Sequence, residues 1–193
     1  PHPFFVMEFV DGTQALPADG GEKMAGMLAR VHAVPIDDAP LLPDREDPIE
    51  SSLELLGAGH EALRNVSRLV PPPDRLREPS STAYWPGNIL WCDGTIVAVL
   101  DWEDPAVGDP LSDVACCRLE LRYLLGASAS AAFTRHYAQR TRCLLDELPV
   151  WDAYVAAAAL ASMAQWGLSA EREAHMRREA AASLADAAAQ LLG

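Results

Sequence analysis

Apolar positions in the first part of the chain repeat with the spacing of one strand and two helices. Residues 4–9 form an apolar run of strand length, which the turn pair Asp11-Gly12 closes. Residues 22–34 predict an amphipathic helix, because apolar side chains recur there at the i, i+3, i+4, i+7 spacing, as Met24, Met27, Leu28 and Val31. A second helix is predicted over residues 51–69, and the three prolines that follow it end it.

The middle of the chain changes from helical spacing to short β-rich runs. Residues 88–91 and 95–100 are two such runs, and Asp93-Gly94 between them predicts a β-hairpin. Asp109, directly before a proline, is typical of a helix N-cap. Apolar stripes then predict four helices, over residues 111–125, 128–140, 148–167 and 171–192. The order of strand, helices, hairpin and helices predicts an α+β fold that is mostly helical.

Composition and charge exclude several classes of partner. The chain has 193 residues, enough for one domain, and its 15 basic and 28 acidic residues give a net charge of −13. This charge repels a phosphate backbone, so nucleic acid is not expected as a partner, whereas a cationic ligand is favoured. No long apolar run or secretory signal occurs, and the four cysteines show no metal-binding spacing. We therefore expect a cytoplasmic protein that does not enter membranes.

Two oxygen-bearing side chains flank the predicted hairpin. Asn88 opens its first strand and Asp101 follows its second, so the hairpin between them fixes their separation. Carboxylate and amide oxygens are ligands that Mg²⁺ accepts, and phosphoryl transfer needs such a cation on the nucleotide phosphates. Taken alone, Asp101 is better explained as a strand-end carboxylate that caps a turn.

The neighbours of these two residues change that interpretation. Tyr-Trp-Pro-Gly-Asn88, the hairpin, Leu-Asp101-Trp-Glu and then Gly-Asp109-Pro occur in the order found in the aminoglycoside phosphotransferase family, which this segment resembles. The resemblance implies a protein-kinase-like fold, of which this chain has the carboxy-terminal lobe, with the short hairpin at the nucleotide and metal site. It also implies ATP as phosphoryl donor and Mg²⁺ held by Asn88 and Asp101.

The same resemblance assigns the beginning of the chain to the nucleotide-binding site. Residues 1–12 resemble the last strand of the amino-terminal lobe and the hinge, and residues 13–193 the helical carboxy-terminal lobe. Hinge backbone groups bind adenine in this family, which implies that Met7, Glu8 and Val10 contact the nucleotide.

The chain departs from the family pattern at the catalytic base. The family motif H-G-D-x-x-x-x-N places the base five residues before Asn88, and Ala83 stands there, after Ser81 and Thr82. The glycine-rich strands and the phosphate-binding lysine that precede the hinge in the family are also missing, and Lys23 is the only lysine. No catalytic residue is therefore assigned, and the chain as written is predicted to be inactive.

Several functions remain open at this point. The first is an ATP-dependent small-molecule O-phosphotransferase by resemblance, and the alternative is a non-catalytic nucleotide- or partner-binding remnant of the kinase fold. A truncated gene product without a stable role is the third, and a frameshift that converts a histidine-glycine-aspartate motif into Ser-Thr-Ala83 would explain the missing base. The expected acceptor is a small-molecule hydroxyl compound, favoured to be cationic. A homodimer or poor solubility is predicted, because the surface that the small lobe covers in the family is exposed.

Five further side chains near these segments have two interpretations each. Tyr84 and Trp85 either line a substrate site or fill the space beneath the loop. Glu103 and Asp104 either assist the metal or form a solvated acidic turn. His32 is expected to pack in the interior rather than to catalyse.

Overall fold

A computed structural model describes residues 9–35, 78–80, 84–102 and 105–192, which contain five α-helices and four short strands. The helices are α1 (Gly20–His32), α2 (Leu111–Leu125), α3 (Ala127–Ala138), α4 (Leu148–Ser162) and α5 (Ala170–Leu192). The strands are β1 (Glu78–Ser80), β2 (Ile89–Cys92), β3 (Thr95–Val99) and β4 (Ala106–Gly108). The helix predicted over residues 51–69 and residues 4–8 of the predicted first strand lie outside the described residues. The mostly helical α+β fold is confirmed.

The predicted hairpin forms from β2 and β3. The two strands pair antiparallel from Ile89 opposite Val99 to Cys92 opposite Thr95, with a register shift at Leu90/Trp91. Asp93 and Gly94 make the turn with φ values of 48° and 71°, the left-handed conformation that a tight two-residue turn requires. An Asp-Gly pair adopts this conformation at low cost, and for that reason the turn was predictable from sequence.

The segment after the predicted hinge lies along the other edge of the hairpin. Thr13 and Trp91 exchange two backbone hydrogen bonds, of 2.9 Å from the Thr13 N–H and 2.8 Å from the Trp91 N–H. At Gly12 an added Cβ would lie 3.1 Å from the Leu90 Cβ, so the chain passes close over the hairpin there. These contacts fix the start of the chain's described part to the strand that follows Asn88.

A second two-stranded sheet, formed by β1 and β4, was not predicted. Its antiparallel register places Glu78 opposite Gly108 and Ser80 opposite Ala106. Three-residue strands carry too short an alternation to be detected, and Pro79 argues against a strand in sequence. The sheet brings the segment before the loop at residues 84–88 next to the residue that precedes Asp109.

Helix α1 begins and ends two residues earlier than the predicted 22–34, and its buried face is rotated. Met24 and Leu28 are buried as expected, whereas Met27 and Val31 are only partly buried. The other buried positions are small or polar, namely Gly20, Ala25, Ala29 and His32. Small side chains let α1 approach its neighbours closely, so packing rather than the apolar stripe alone sets the buried face.

The four later helices agree with the predicted ones to within a few residues. The predicted helix over residues 148–167 is α4 followed by the 3₁₀ turn Met163–Gln165, and Gly167 with φ 65° precedes α5. The main core gathers side chains from α1, the hairpin, α2 and α3, among them Met24, Leu28, Tyr84, Ile89, Trp91, Val114, Leu121, Phe133 and Tyr137. A second core joins α2, α4 and α5 through residues that include Leu119, Met163, Met176 and Ala180. No helix within the described ranges is both long and apolar enough to cross a lipid bilayer.

Candidate active site

The loop before the hairpin is a single 3₁₀ turn, Pro86–Asn88. Pro86 is buried, and the Asn88 N–H donates to the Trp85 carbonyl at 2.9 Å, which closes the turn. At Gly87 an added Cβ would overlap three atoms of the Trp85 indole, so only glycine lets this ring lie over the turn. The turn therefore places Asn88 at the open end of the hairpin and the Trp85 ring beside it.

Asn88 and Asp101 meet at this open end. The Leu100 N–H donates to the Asn88 carbonyl at 2.8 Å, which extends the ladder one step beyond the last strand pair. The side-chain amide of Asn88 then donates to the Asp101 Oδ2 at 3.1 Å. Asp101 has a φ of 65°, a left-handed conformation that few residues other than glycine adopt, and aspartate is one of them. This backbone conformation is stabilised by its surroundings and is typical of functional positions.

The residue after Asp101 anchors it to the hairpin. The Trp102 indole Nε1 donates to the Val99 carbonyl at 2.9 Å, and its ring remains 42 % exposed. Asp101 is itself exposed, so its carboxylate is accessible from solvent. Within the described ranges no three His, Cys, Asp or Glu side chains come together. The oxygen atoms of this amide and carboxylate are thus the donor set around which a divalent cation is considered.

Of the other predicted site residues, one lies among the described residues and the rest lie outside them. Val10 is partly buried and has no regular secondary structure, whereas Met7 and Glu8 lie outside the described residues. Ala83, at the position of the family's base, also lies outside them, as do Ser81, Thr82, Glu103 and Asp104.

Asp109 joins two helices at their ends. Its Oδ1 accepts from the Leu111 N–H at 2.9 Å, at the start of α2, although the N-cap position itself is Pro110. Its Oδ2 accepts from the Trp151 indole Nε1 at 2.8 Å, which connects α2 to α4. These are the contacts of a residue that supports the fold, as the sequence predicted.

A buried polar network connects α1, α2 and α3, and sequence reasoning missed it. His32 Nδ1 is 2.8 Å from the Tyr137 hydroxyl, and His32 Nε2 is 3.2 Å from the Asp113 carboxylate. With the imidazole proton on Nε2, the ring donates to Asp113 and accepts from Tyr137. His32 therefore packs in the interior, as expected, but its partners are 81 and 105 residues away and leave no local pattern.

The two aromatic residues before the turn have separate positions. Tyr84 is fully buried, and its hydroxyl donates to the Met24 carbonyl at 2.8 Å. Burial raises the pKa of this phenol well above its ordinary value, so it stays protonated. Trp85 instead lines a cavity of about 380 Å³ between α2 and α4. Of the two interpretations, Tyr84 fills the space beneath the loop and Trp85 lines a pocket beside it.

Among the described residues that line this pocket, Glu120 of α2 is the charged one. Burial raises the pKa of Glu120 to about 7, against the opposing effect of Arg172. The remaining lining is mainly aromatic and aliphatic, and includes Trp151, Tyr154, Val155 and Trp166. The face of α4 that carries Trp151, Tyr154, Val155 and Ala158 thus borders a cavity as well as the core.

The family comparison agrees with this geometry. Residues 83–154 match the model of the phosphotransferase enzyme family, APH, a segment that includes the turn, the hairpin, Asp101 and α2. The resemblance to the aminoglycoside phosphotransferases is confirmed. No curated protein matches the chain in sequence.

Solved structures show that the fold is the kinase-like fold of these proteins. A Ralstonia eutropha JMP134 protein, described as an aminoglycoside phosphotransferase, superimposes with a TM-score of 0.62 at 17 % identity, over 96 % of this chain and 72 % of its own. The amicoumacin kinase hAmiN, in complex with AMP-PNP, Ca²⁺ and its substrate, gives 0.65 at 13 % identity, over 93 % and 64 %. A thermostable mutant of APH(4)-Ia with AMP-PNP and hygromycin B gives 0.58 at 15 % identity, over 91 % and 69 %. The chain spans about two thirds of the length of these structures.

Proposed function

We propose that this protein binds Mg·ATP as a member of the small-molecule O-phosphotransferases, and that its phosphoryl transfer is impaired because position 83 is alanine. The convergence of Asn88 and Asp101 at the open end of the hairpin carries the proposal. These are the two residues that the family resemblance assigns to the metal. Two of the similar proteins are solved with an ATP analogue, one of them with Ca²⁺.

The donor set suits Mg²⁺. A carboxylate and an amide oxygen are hard ligands, and Mg²⁺ in nucleotide sites uses few protein ligands alongside water and phosphate oxygens. When bound, the cation neutralises charge on the nucleotide phosphates. Asn88 and Asp101 would hold it, because the hairpin and the left-handed Asp101 backbone bring both side chains to one point.

The hinge would supply the adenine site. Met7, Glu8 and Val10 are the residues proposed to contact the nucleotide, with residues 1–12 as last strand and hinge and 13–193 as the helical lobe. The hydrogen bonds between Thr13 and Trp91 support this assignment, because they join the segment after the hinge to the strand that follows Asn88.

Alanine at position 83 removes the group that would accept the proton of the acceptor hydroxyl. A general base contributes about 10²–10⁴ to a rate, so binding is expected to persist while chemistry slows by that factor. This favours the second candidate function, a non-catalytic nucleotide- or partner-binding role. The variant A83D distinguishes an impaired phosphotransferase from a non-catalytic binding protein. In an impaired phosphotransferase, restoring the base should raise the rate of ADP release by about 10²–10⁴ without tightening Mg·ATP binding.

Calorimetry with Mg·ATP tests the metal assignment. Wild-type protein should bind, and N88A and D101N should each weaken binding at least about tenfold, because a charged or amide ligand is lost. D93N is the matched control, since Asp93 is an exposed carboxylate at the other end of the same hairpin. Equal binding by D101N and D93N would overturn the proposal, as would absence of binding by a folded wild-type protein.

A homodimer in the cytoplasm is the proposed state of the protein. Four large apolar side chains near the hinge and hairpin are exposed, namely Phe9, Val97, Leu100 and Trp102. Burying them between two copies would remove apolar surface from water. The four cysteines all lie within the described ranges and form no disulfide there, which suits a reducing compartment. Light scattering that gives a monomer mass across concentration would refute the dimer.

A further inference from the structure

A groove on another side of the protein combines positive charge with an apolar floor. It has a volume of about 650 Å³ and lies between α1, the turn end of the hairpin and the segment that follows α3. Among the described residues that line it are three cations, Lys23, Arg30 and Arg140, and no acid. The net charge of the chain is −13, so this local excess of positive charge runs against the character of the molecule.

The three cations are accessible to a ligand. Lys23 pairs with Asp19 at 2.7 Å and Arg140 pairs with Glu22 at 3.0 Å, and both acids are exposed. Ion pairs between exposed side chains contribute little to stability, so an incoming carboxylate can replace either acid. Arg30 is exposed and forms no ion pair with any residue that the structure describes. All three side chains can therefore meet an anion from solvent.

The cations are spread along the groove. Lys23 and Arg30 occupy positions i and i+7 of α1, so their backbones are about 10 Å apart along the helix axis. Arg140 lies over Gly26, between these two positions, where an added Cβ would be 3.5 Å from the Arg140 Nε. A row of this length suits a ligand that carries several separated carboxylates better than a single phosphate ion.

The floor of the groove is apolar between the charges. Met27 of α1 and Ile96 of β3 face the groove from its two sides. Both are partly buried and pack against the main core, which holds them in place. An apolar side chain of a ligand placed on this floor would be removed from water, and so would the floor itself.

We propose that this groove binds an extended acidic peptide segment of a partner protein, with carboxylates against the three cations and an apolar side chain over Met27 and Ile96. In an extended chain, side chains at i, i+2 and i+4 point to one side and span about 13 Å. The pattern Glu-x-Leu-x-Glu therefore places one acid near Lys23, one near Arg30 and the leucine between them. Nucleic acid is disfavoured, because the net charge of −13 repels a phosphate backbone.

Three capped pentapeptides test this chemistry on the full chain by calorimetry. The first is acetyl-Glu-Ala-Leu-Ala-Glu-amide, the second has glutamine in place of both glutamates, and the third has alanine in place of leucine. The first should bind at least about tenfold more tightly than the second, because the glutamines keep the shape and lose the charge. It should also bind about threefold more tightly than the third, because the apolar contact is reduced.

Charge reversal at Arg30 locates the site. R30E should weaken binding of the acidic peptide at least about tenfold, because it removes one attraction and adds a repulsion, and it should change binding of the glutamine peptide by less than about twofold. R178E is the matched control, since Arg178 is an exposed arginine of α5 that does not line the groove. Both variants change the net charge equally, so R178E reports any general effect of charge and should bind the peptide like wild type.

The outcomes also distinguish this groove from the candidate nucleotide site. Asn88 and Asp101 do not line the groove, so D101N should keep peptide binding and R30E should keep Mg·ATP binding. Loss of Mg·ATP binding in R30E would assign the cations to the nucleotide and overturn the proposal. A monomeric R30E beside a dimeric wild type in light scattering would also overturn it, because the occupant would then be a second copy of this chain.

Four results with the peptides would refute the docking groove directly. These are no binding of the acidic peptide to wild-type protein, equal binding of the glutamine peptide, equal weakening by R30E and R178E, and tighter binding of an oligothymidylate of similar length. The last result would indicate a general polyanion surface rather than a site for acidic peptides.

Discussion

Replacing Gly87 by alanine should disturb both the turn and the pocket, because the new methyl group has no space. A Cβ at this position would overlap the Trp85 indole at three ring atoms. The φ of Gly87 is not in the left-handed region, so the penalty comes from this overlap rather than from the backbone. Either the rigid ring moves off the turn or the turn opens.

The loss in free energy of unfolding depends on which of these two changes occurs. Overpacking of this kind typically costs about 1–3 kcal/mol, so G87A should unfold at lower urea concentration with an unchanged slope. An opened turn would also weaken Mg·ATP binding through Asn88, whereas displacement of the ring alone would leave that binding unchanged. Measuring stability and Mg·ATP binding on one variant tells which part of the site has moved.

Gly21 provides the matched control. It lies in the first turn of α1, and an added Cβ would meet nothing within 4 Å. Alanine in place of a helical glycine stabilises by about 0.5–1 kcal/mol, so G21A should be at least as stable as wild type and bind Mg·ATP normally. A G87A protein that matched G21A in both stability and Mg·ATP binding would refute the steric reasoning.

Three further predictions concern the helices that form the walls of the site. Asp152 accepts two hydrogen bonds of 2.9 Å from Arg118, yet burial raises the pKa of Asp152 in spite of this partner. D152A should therefore cost about 3–5 kcal/mol in urea unfolding, whereas the double variant R118L/D152L should be close to neutral. Y137F removes the hydroxyl that meets His32 and should cost about 1–3 kcal/mol by the same assay, with no change in the urea slope. Because burial raises the folded-state pKa of Glu120 to about 7, stability should fall as pH rises from about 4.5 towards 7, and E120Q should flatten that part of the profile.

Local patterns predicted the hairpin and the later helices because their determinants lie close together in sequence. Asp93-Gly94 supplies the turn conformation on its own, and an apolar stripe identifies a helix from within. The convergence of Asn88 and Asp101 followed from the same local unit, since one short hairpin separates them. The proximity of these two residues was therefore the part of the candidate site that a single sequence indicates best.

Features that depend on distant residues were not predictable in this way. The β1–β4 pairing joins segments about thirty residues apart with three residues each, one of them proline. The partners of His32 come from two other helices, and the environment of Glu120 depends on how α2, α4 and α5 pack. Each requires the tertiary arrangement before its chemistry can be inferred.

The turn and the hairpin themselves set the geometry of Asn88 and Asp101, the two residues proposed to hold the metal. Asn88 is positioned by a turn closed through its own N–H, and Asp101 by a left-handed backbone next to the Trp102 anchor. Both supports lie within residues 85–102. The proposed nucleotide binding is therefore expected to persist without the base at position 83. For that reason Mg·ATP affinity, rather than turnover, is the property that tests the site.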